Sequence, residues 1–279
     1  MRKYTLCPLV ALALGCGGAA LRMWQESRYT DGFPPTGDLS SLLLIALCVL
    51  AAAGAALLAH RSQELRPGAL FSGPSRMNGG LLILSALAFL GSAIFHLVHI
   101  IRITGIGPDV QVSPLVILTA APLELLQAIL SVPTVVCLVF LAKDALVGEG
   151  RSLDSLTVLL PAVCGWLWLI DLYRRSVSDP IVWDYVFLML AIVVLLLAVM
   201  ARAGFSFADG SPRQTVFFGL FGLFLTPIAF LQAQDMPTRF SLFAFALYVL
   251  AALLGLLNDQ PMPEPVSDII LETEESSDE

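Results

Sequence analysis

Two of the three histidines of this chain fall in one apolar stretch, IFHLVHIIR, which carries His96, His99 and then Arg102 at steps of three residues. On a helix such steps turn by about −60° each, so the two imidazoles and the guanidinium share a face within about 120° of arc. The next apolar segment, SPLVILTAAPLELLQAILSVPTVVCLVFLAK, carries Glu124, Gln127, Ser131 and Thr134. These four also share a face, within about 80° of arc by the same geometry. If the two segments form an antiparallel hairpin, His96 and Glu124 come to similar depth. A carboxylate beside an imidazole can hold a proton, a metal or a polar solute. His96, His99, Arg102, Glu124 and Gln127 are therefore the candidate polar pocket. An ionisable residue within a membrane span is a functional hypothesis by default.

A second account needs no ligand. Counting back from Lys143, about 20 residues, one bilayer crossing, reach Pro122. Glu124 then sits in the first helical turn against the positive end of the helix dipole. His96, His99 and Arg102 would extend to the headgroups. Two histidines three apart, with no third ligand, do not make a metal site, and none is assigned. Asp171, Arg174 and Arg175 have helix-pair spacing and read as a local ion pair at a span end.

The elements that must position these residues are set by composition. Of 279 residues, 57% are hydrophobic and 13% charged, with mean hydropathy +0.85. Soluble domains carry about 25% charged residues. Apolar runs long enough for a hydrocarbon core of about 30 Å recur along the chain. The fold class is therefore all-α, a polytopic transmembrane bundle of about eight spans, since helices alone satisfy their own backbone in lipid. The expected spans are 4–21, 39–59, 79–101, 122–142, 154–173, 180–201, 214–232 and 239–257. Asp179-Pro180, Ser211-Pro212 and Pro237-Thr238 mark helix starts, and Gly79-Gly80 opens the third span. Pro133, Pro161 and Pro227 are candidate helix breaks of the transporter kind.

The formal charge of −7 belongs to one end of the chain. Residues 259–279 hold eight acids and no Lys or Arg, leaving 14 acids against 15 bases elsewhere. Two regions follow: a bundle over 1–258, and a disordered acidic tail over 259–279 that is a docking segment for a cytoplasmic partner in the alternative reading. There is no basic footprint for nucleic acid. The five cysteines lie in apolar runs without ligand or redox spacing. No cofactor is expected, because neither a phosphate-binding lysine loop nor a dinucleotide fingerprint occurs, and hydrolase motifs are absent too.

Orientation follows Lys and Arg. With the N-terminus inside, nine lie on the inner side and six on the outer, which favours N-in and C-in. Trp24, Trp166, Trp168 and Trp183, with Tyr29, Tyr173 and Tyr185, then read as an outer aromatic belt. The first run contains ALGC ending at Cys16, a loose lipobox. Leu14 fits that pattern poorly and the run continues to Leu21, so the segment is read as an uncleaved helix. AAAGAALLA, GCGGAA and Gly219/Gly222 supply close helix contacts.

The segment LRMWQESRYTDGFPPTGDLSSLLL, Leu21 to Leu44, resembles uncharacterised bacterial multi-pass membrane proteins, in which an Arg, an acid and a turn precede the second span. The resemblance implies a bacterial membrane protein and carries no activity and no site residues; the expected location is the bacterial cytoplasmic membrane. The leading functional reading is a non-enzymatic membrane component that binds or passes a small solute or ion through an outward-facing pocket. The alternative is a structural or signalling subunit docking through its tail, and an intramembrane enzyme stands third.

Overall fold

The computed structural model describes residues 6–29, 39–62, 75–104, 121–147, 155–176, 185–207 and 210–257. Among them the chain is helical and has no strand. The helices are α1 (Cys7–Glu26), α2 (Leu39–Arg61), α3 (Arg76–Thr104), α4 (Pro122–Val147), α5 (Ser155–Ser176), α6 (Val186–Gly204), α7 (Pro212–Gln232) and α8 (Met236–Leu257), with a 3₁₀ turn at Phe205–Phe207. All eight contain a segment long and apolar enough to cross a bilayer. The chain is an all-α polytopic membrane protein.

Successive helices run antiparallel. The ends at Glu26, Leu39, Thr104, Pro122, Ser176, Val186, Gln232 and Met236 face one side, here the His99 end. At the opposite end the Ser75 N–H donates to the Ala145 carbonyl at 2.8 Å, tying the start of α3 to the end of α4. The most buried helix is α8, which packs on α3, α7, α6 and α1. α1, α2 and α6 pack on α7, and α5 joins α4 to α6. Leu42, Ile45, Val49, Leu50 and Leu57 of α2 point away from the bundle. In lipid such a surface costs nothing, because acyl chains are as apolar as leucine.

Without a hydrophobic drive between helices, association depends on close packing and interhelical hydrogen bonds. Gly15 rests against the backbone carbonyl of Phe224 and Gly18 against Ile228, seating α1 on α7. Gly219 meets Leu253 of α8, and Gly222 meets Leu195 of α6. Gly54, in the small-residue run of α2, has no neighbour within 4 Å of a side chain added there. Across the α3–α8 seam, Ser85 donates to the Ala244 carbonyl at 2.8 Å, and Ser92 bonds Ser241 at 2.7 Å. These serines are one heptad apart, so one face of α3 meets α8 along its length.

Several boundaries differ from those read in the sequence. α1 continues to Glu26, because the side chains of its last turns bond to one another. α3 starts at Arg76, so Gly79 lies within its first turn, packed against Leu146. α6 starts at Val186; Asp179-Pro180, Trp183 and the acidic tail lie outside the described residues. Pro212 and Pro237 occupy first turns. Pro133, Pro161 and Pro227 lie inside continuous helices and break none. Trp168 is not part of an interfacial belt: it is 1% exposed and stacks on Phe245 with ring centres 5.5 Å apart. Trp24 and Trp166 are exposed.

Candidate functional site

The α4 face bearing Glu124, Gln127, Ser131 and Thr134 turns inward, and all four side chains are buried. Their spacing of three, four and three residues places them in one stripe, which α3 and α5 cover. Ser131 and Thr134 return their hydroxyls to the helix's own carbonyls, at 2.8 and 2.7 Å. Of the two residues nearer the His99 end, Glu124 reaches across to α3 and α5.

Glu124 Oε2 lies 2.8 Å from His99 Nδ1, linking α4 to α3. Its other oxygen is 3.8 Å from Arg175 Nη1. Arg175 in turn binds Asp171 one turn back on α5 at 2.5 Å, and Asp235 in the α7–α8 turn at 3.5 Å. One guanidinium thus joins three carboxylates from three parts of the fold. Glu124 and Asp171 side chains are each 7% exposed. Charges so placed have left water and need partners to remain ionised.

His96 is fully buried, and among the described residues neither ring nitrogen has a hydrogen-bond partner. The ionisable side chains that face it are Glu124, Arg175, Asp235 and His99. Its level follows from register. The His99–Glu124 contact aligns α3 with α4, so one turn inward on both helices brings His96 opposite Gln127. The Ser131–Cys164 contact at 3.8 Å aligns α4 with α5, which brings Trp168 to that level too. Gln127 Oε1 and Trp168 Nε1 are likewise buried without a partner among the described residues. Three unpartnered polar groups from three helices therefore share one level, directly beneath the Glu124 ion cluster.

The sequence reading paired His96 with Glu124. The structure pairs His99 with Glu124 and leaves His96 a turn deeper, within the field of the same carboxylate. Both His96 and Glu124 are buried within the bundle. Arg102 and Arg174 are exposed and stand apart from the cluster, so the pair at the end of α5 is Asp171–Arg175. Asp235 is the member that spacing along one helix could not supply, because it arrives from a turn distant in sequence. Beside Arg175 a crevice of about 230 Å³ is lined by Leu172, Ser176, Tyr185, Gln232, Gln234 and Asp235. Gln232 is fixed there by accepting the Leu188 N–H at 2.8 Å.

A second buried polar group was not read from the sequence. Arg22 is fully buried on α1, donating to Gln25 and Tyr29 at 2.6 Å each and pairing with Glu26 at 3.1 Å. Gln25 donates to Ser41 of α2 at 2.6 Å. This group closes on itself and ties α1 to α2. Its signal was the three-residue spacing of Arg22 and Gln25, with Glu26 and Tyr29 close behind.

No family model matches the chain, and neither the curated proteins nor the solved structures include a similar one. The class of the protein, a polytopic helical membrane protein, therefore rests on its own fold.

Proposed function

We propose that the protein is a non-enzymatic component of a bacterial cytoplasmic membrane, with both ends of the bundle's chain inside. It binds, or passes, a small polar solute or ion at the His99 end. The observation that carries this reading is His96, a fully buried imidazole without a hydrogen-bond partner among the described residues, set under an ion cluster drawn from three helices and a turn. An unsatisfied buried polar group costs about 1–3 kcal/mol. Ionisable groups inside membranes are expensive and mark functional paths. The crevice beside Arg175 gives the cluster an approach from the surface.

The test is thermal unfolding of the detergent-purified protein across a panel of small metabolites and ions, with Glu124→Gln alongside. A ligand that binds the native state raises its stability by mass action, by about 2.7 kcal/mol at a hundredfold excess over Kd. The expected result is a ligand that stabilises the wild type and leaves the variant unmoved. Equal stabilisation of both proteins, or of neither by any compound, rejects a site at Glu124.

A further inference from the structure

We infer that this chain docks its own C-terminal segment on the bundle, with a side chain of Ile269-Ile270-Leu271 seated in a pocket at the end opposite His99. The inference goes beyond the binding function proposed above and does not depend on it. The pocket's walls are Cys7, Leu58, Ser62, Val216, Leu220 and Leu257, with Arg61 at the rim. Cys7 opens α1, Ser62 follows α2, Val216 lies in the second turn of α7 and Leu257 closes α8, so four helix ends surround it. The Ser62 hydroxyl is taken up by the Ala59 carbonyl at 2.7 Å. That leaves an apolar lining, which the exposed Arg61 connects to the surface.

Charge complementarity points to the segment. Among the described residues, these four ends carry His60, Arg61 and Arg213, all exposed, and no carboxylate. Arg213 precedes Val216 by three residues, so it stands one turn nearer the rim on the same face of α7. Residues 259–279 carry eight acids and no Lys or Arg. Their one run of three large apolar residues, Ile269-Ile270-Leu271, is flanked by Asp268 and Glu272. A side chain of this run can enter the pocket while the two carboxylates face Arg61 and Arg213, which fixes the register of docking.

Size and tether separate this segment from other occupants. The pocket has a volume of about 60 Å³. That is room for on the order of three or four non-hydrogen atoms, the branched end of one isoleucine or leucine side chain. A lipid acyl chain is several times longer. Leu257, a wall of the pocket, is also the residue from which the segment continues. The chain from Leu257 to Ile269 reaches up to about 40 Å when extended, whereas packed helices lie about 8–10 Å apart. The segment can therefore double back onto the helix ends. So tethered, it meets the pocket at an effective concentration on the order of millimolar. A partner that takes the tail must first draw it out of the pocket.

The experiment reads Cys7, a native thiol in the pocket wall. In the full chain Cys16, Cys48, Cys137 and Cys164 are replaced by alanine, and modification of Cys7 by methyl methanethiosulfonate is followed by intact mass. The protein is held in phosphatidylcholine vesicles, with and without phosphatidylglycerol. Combining Ile269→Asp, Ile270→Asp and Leu271→Asp is expected to speed modification about tenfold or more, and Arg61→Glu to speed it in the same direction. The tail substitutions lie beyond the last helix, so the bundle is expected to fold, and a retained unfolding transition checks that. A second measurement adds Ile270→Cys to the Cys7-only protein. Copper phenanthroline is expected to join it to Cys7 within one chain, whereas Ser277→Cys is joined far more slowly. Equal Cys7 rates with and without the tail substitutions overturn the inference. Protection that follows phosphatidylglycerol and ignores the tail overturns it too, and gives the pocket to an anionic lipid. A disulfide joining two chains overturns docking within one chain and makes the occupant a second copy's tail.

Discussion

His96 shows what one residue reveals and what it conceals. Its helical phase with His99 and Arg102 was legible from spacing, since steps of three confine them to one arc. What separates them is depth and neighbours: His96 is fully buried, the His99 side chain is 38% exposed, and Arg102 is exposed. No periodicity carries that gradient. An unpartnered buried imidazole leads to a test in which stability and function move in opposite directions. His96→Leu replaces a polar ring with an apolar side chain of similar volume and different shape. It removes a desolvation cost of on the order of 1 kcal/mol or more, offset in part by imperfect packing of the branched side chain. The variant is expected to be as stable as wild type or more so in denaturant unfolding without ligand, yet to lose ligand-induced stabilisation. A variant markedly less stable than wild type, with its ligand response intact, would make His96 a packing residue. Such opposition is the usual signature of a group retained for binding rather than for folding.

At the scale of elements, the eight helices were legible because an apolar run of bilayer length is a strong signal, and each of the eight expected spans overlaps an observed helix. The departures have local causes. α1 outlasts its apolar run because Arg22, Gln25, Glu26 and Tyr29 satisfy one another beyond Leu21. α4 passes through Pro133 unbroken, as helices do when neighbours support them. The small residues of α1 were read as a packing face, but the sequence did not say which glycine touches what. A side chain at Gly15 would collide with the Phe224 backbone carbonyl, whereas Gly17 has nothing within 4 Å. Gly15→Ala is therefore expected to destabilise the bundle by about 1–3 kcal/mol through overpacking against a rigid partner. Gly17→Ala should stay within about 0.5 kcal/mol of wild type. Unfolding in mixed detergent compares the two, and equal effects would place the α1–α7 contact elsewhere.

For the whole molecule, the site depends on pairings that no single segment announces. α3 meets α4 through His99, α5 meets α4 through Arg175, and the α7–α8 turn adds Asp235 from 60 residues beyond Arg175. Sequence reasoning reached the hairpin of α3 and α4 because its members are adjacent. It could not close the ring, since a short loop fixes only which helices are consecutive. The fold also turns orientation into a functional statement. All the charged members lie at one end, so the side of the membrane that end faces decides which compartment supplies the ligand. The Lys and Arg distribution, nine against six, is the ground for the proposal that this end faces outside. α3 can report this alone, because Arg76 and Arg102 are exposed near its two ends, about 39 Å apart along the axis. In a background with the five native cysteines replaced by alanine, Arg102→Cys is expected to react with a membrane-impermeant maleimide on intact cells. Arg76→Cys should react only after the membrane is opened. The reverse pattern would turn the crevice to the cytoplasm.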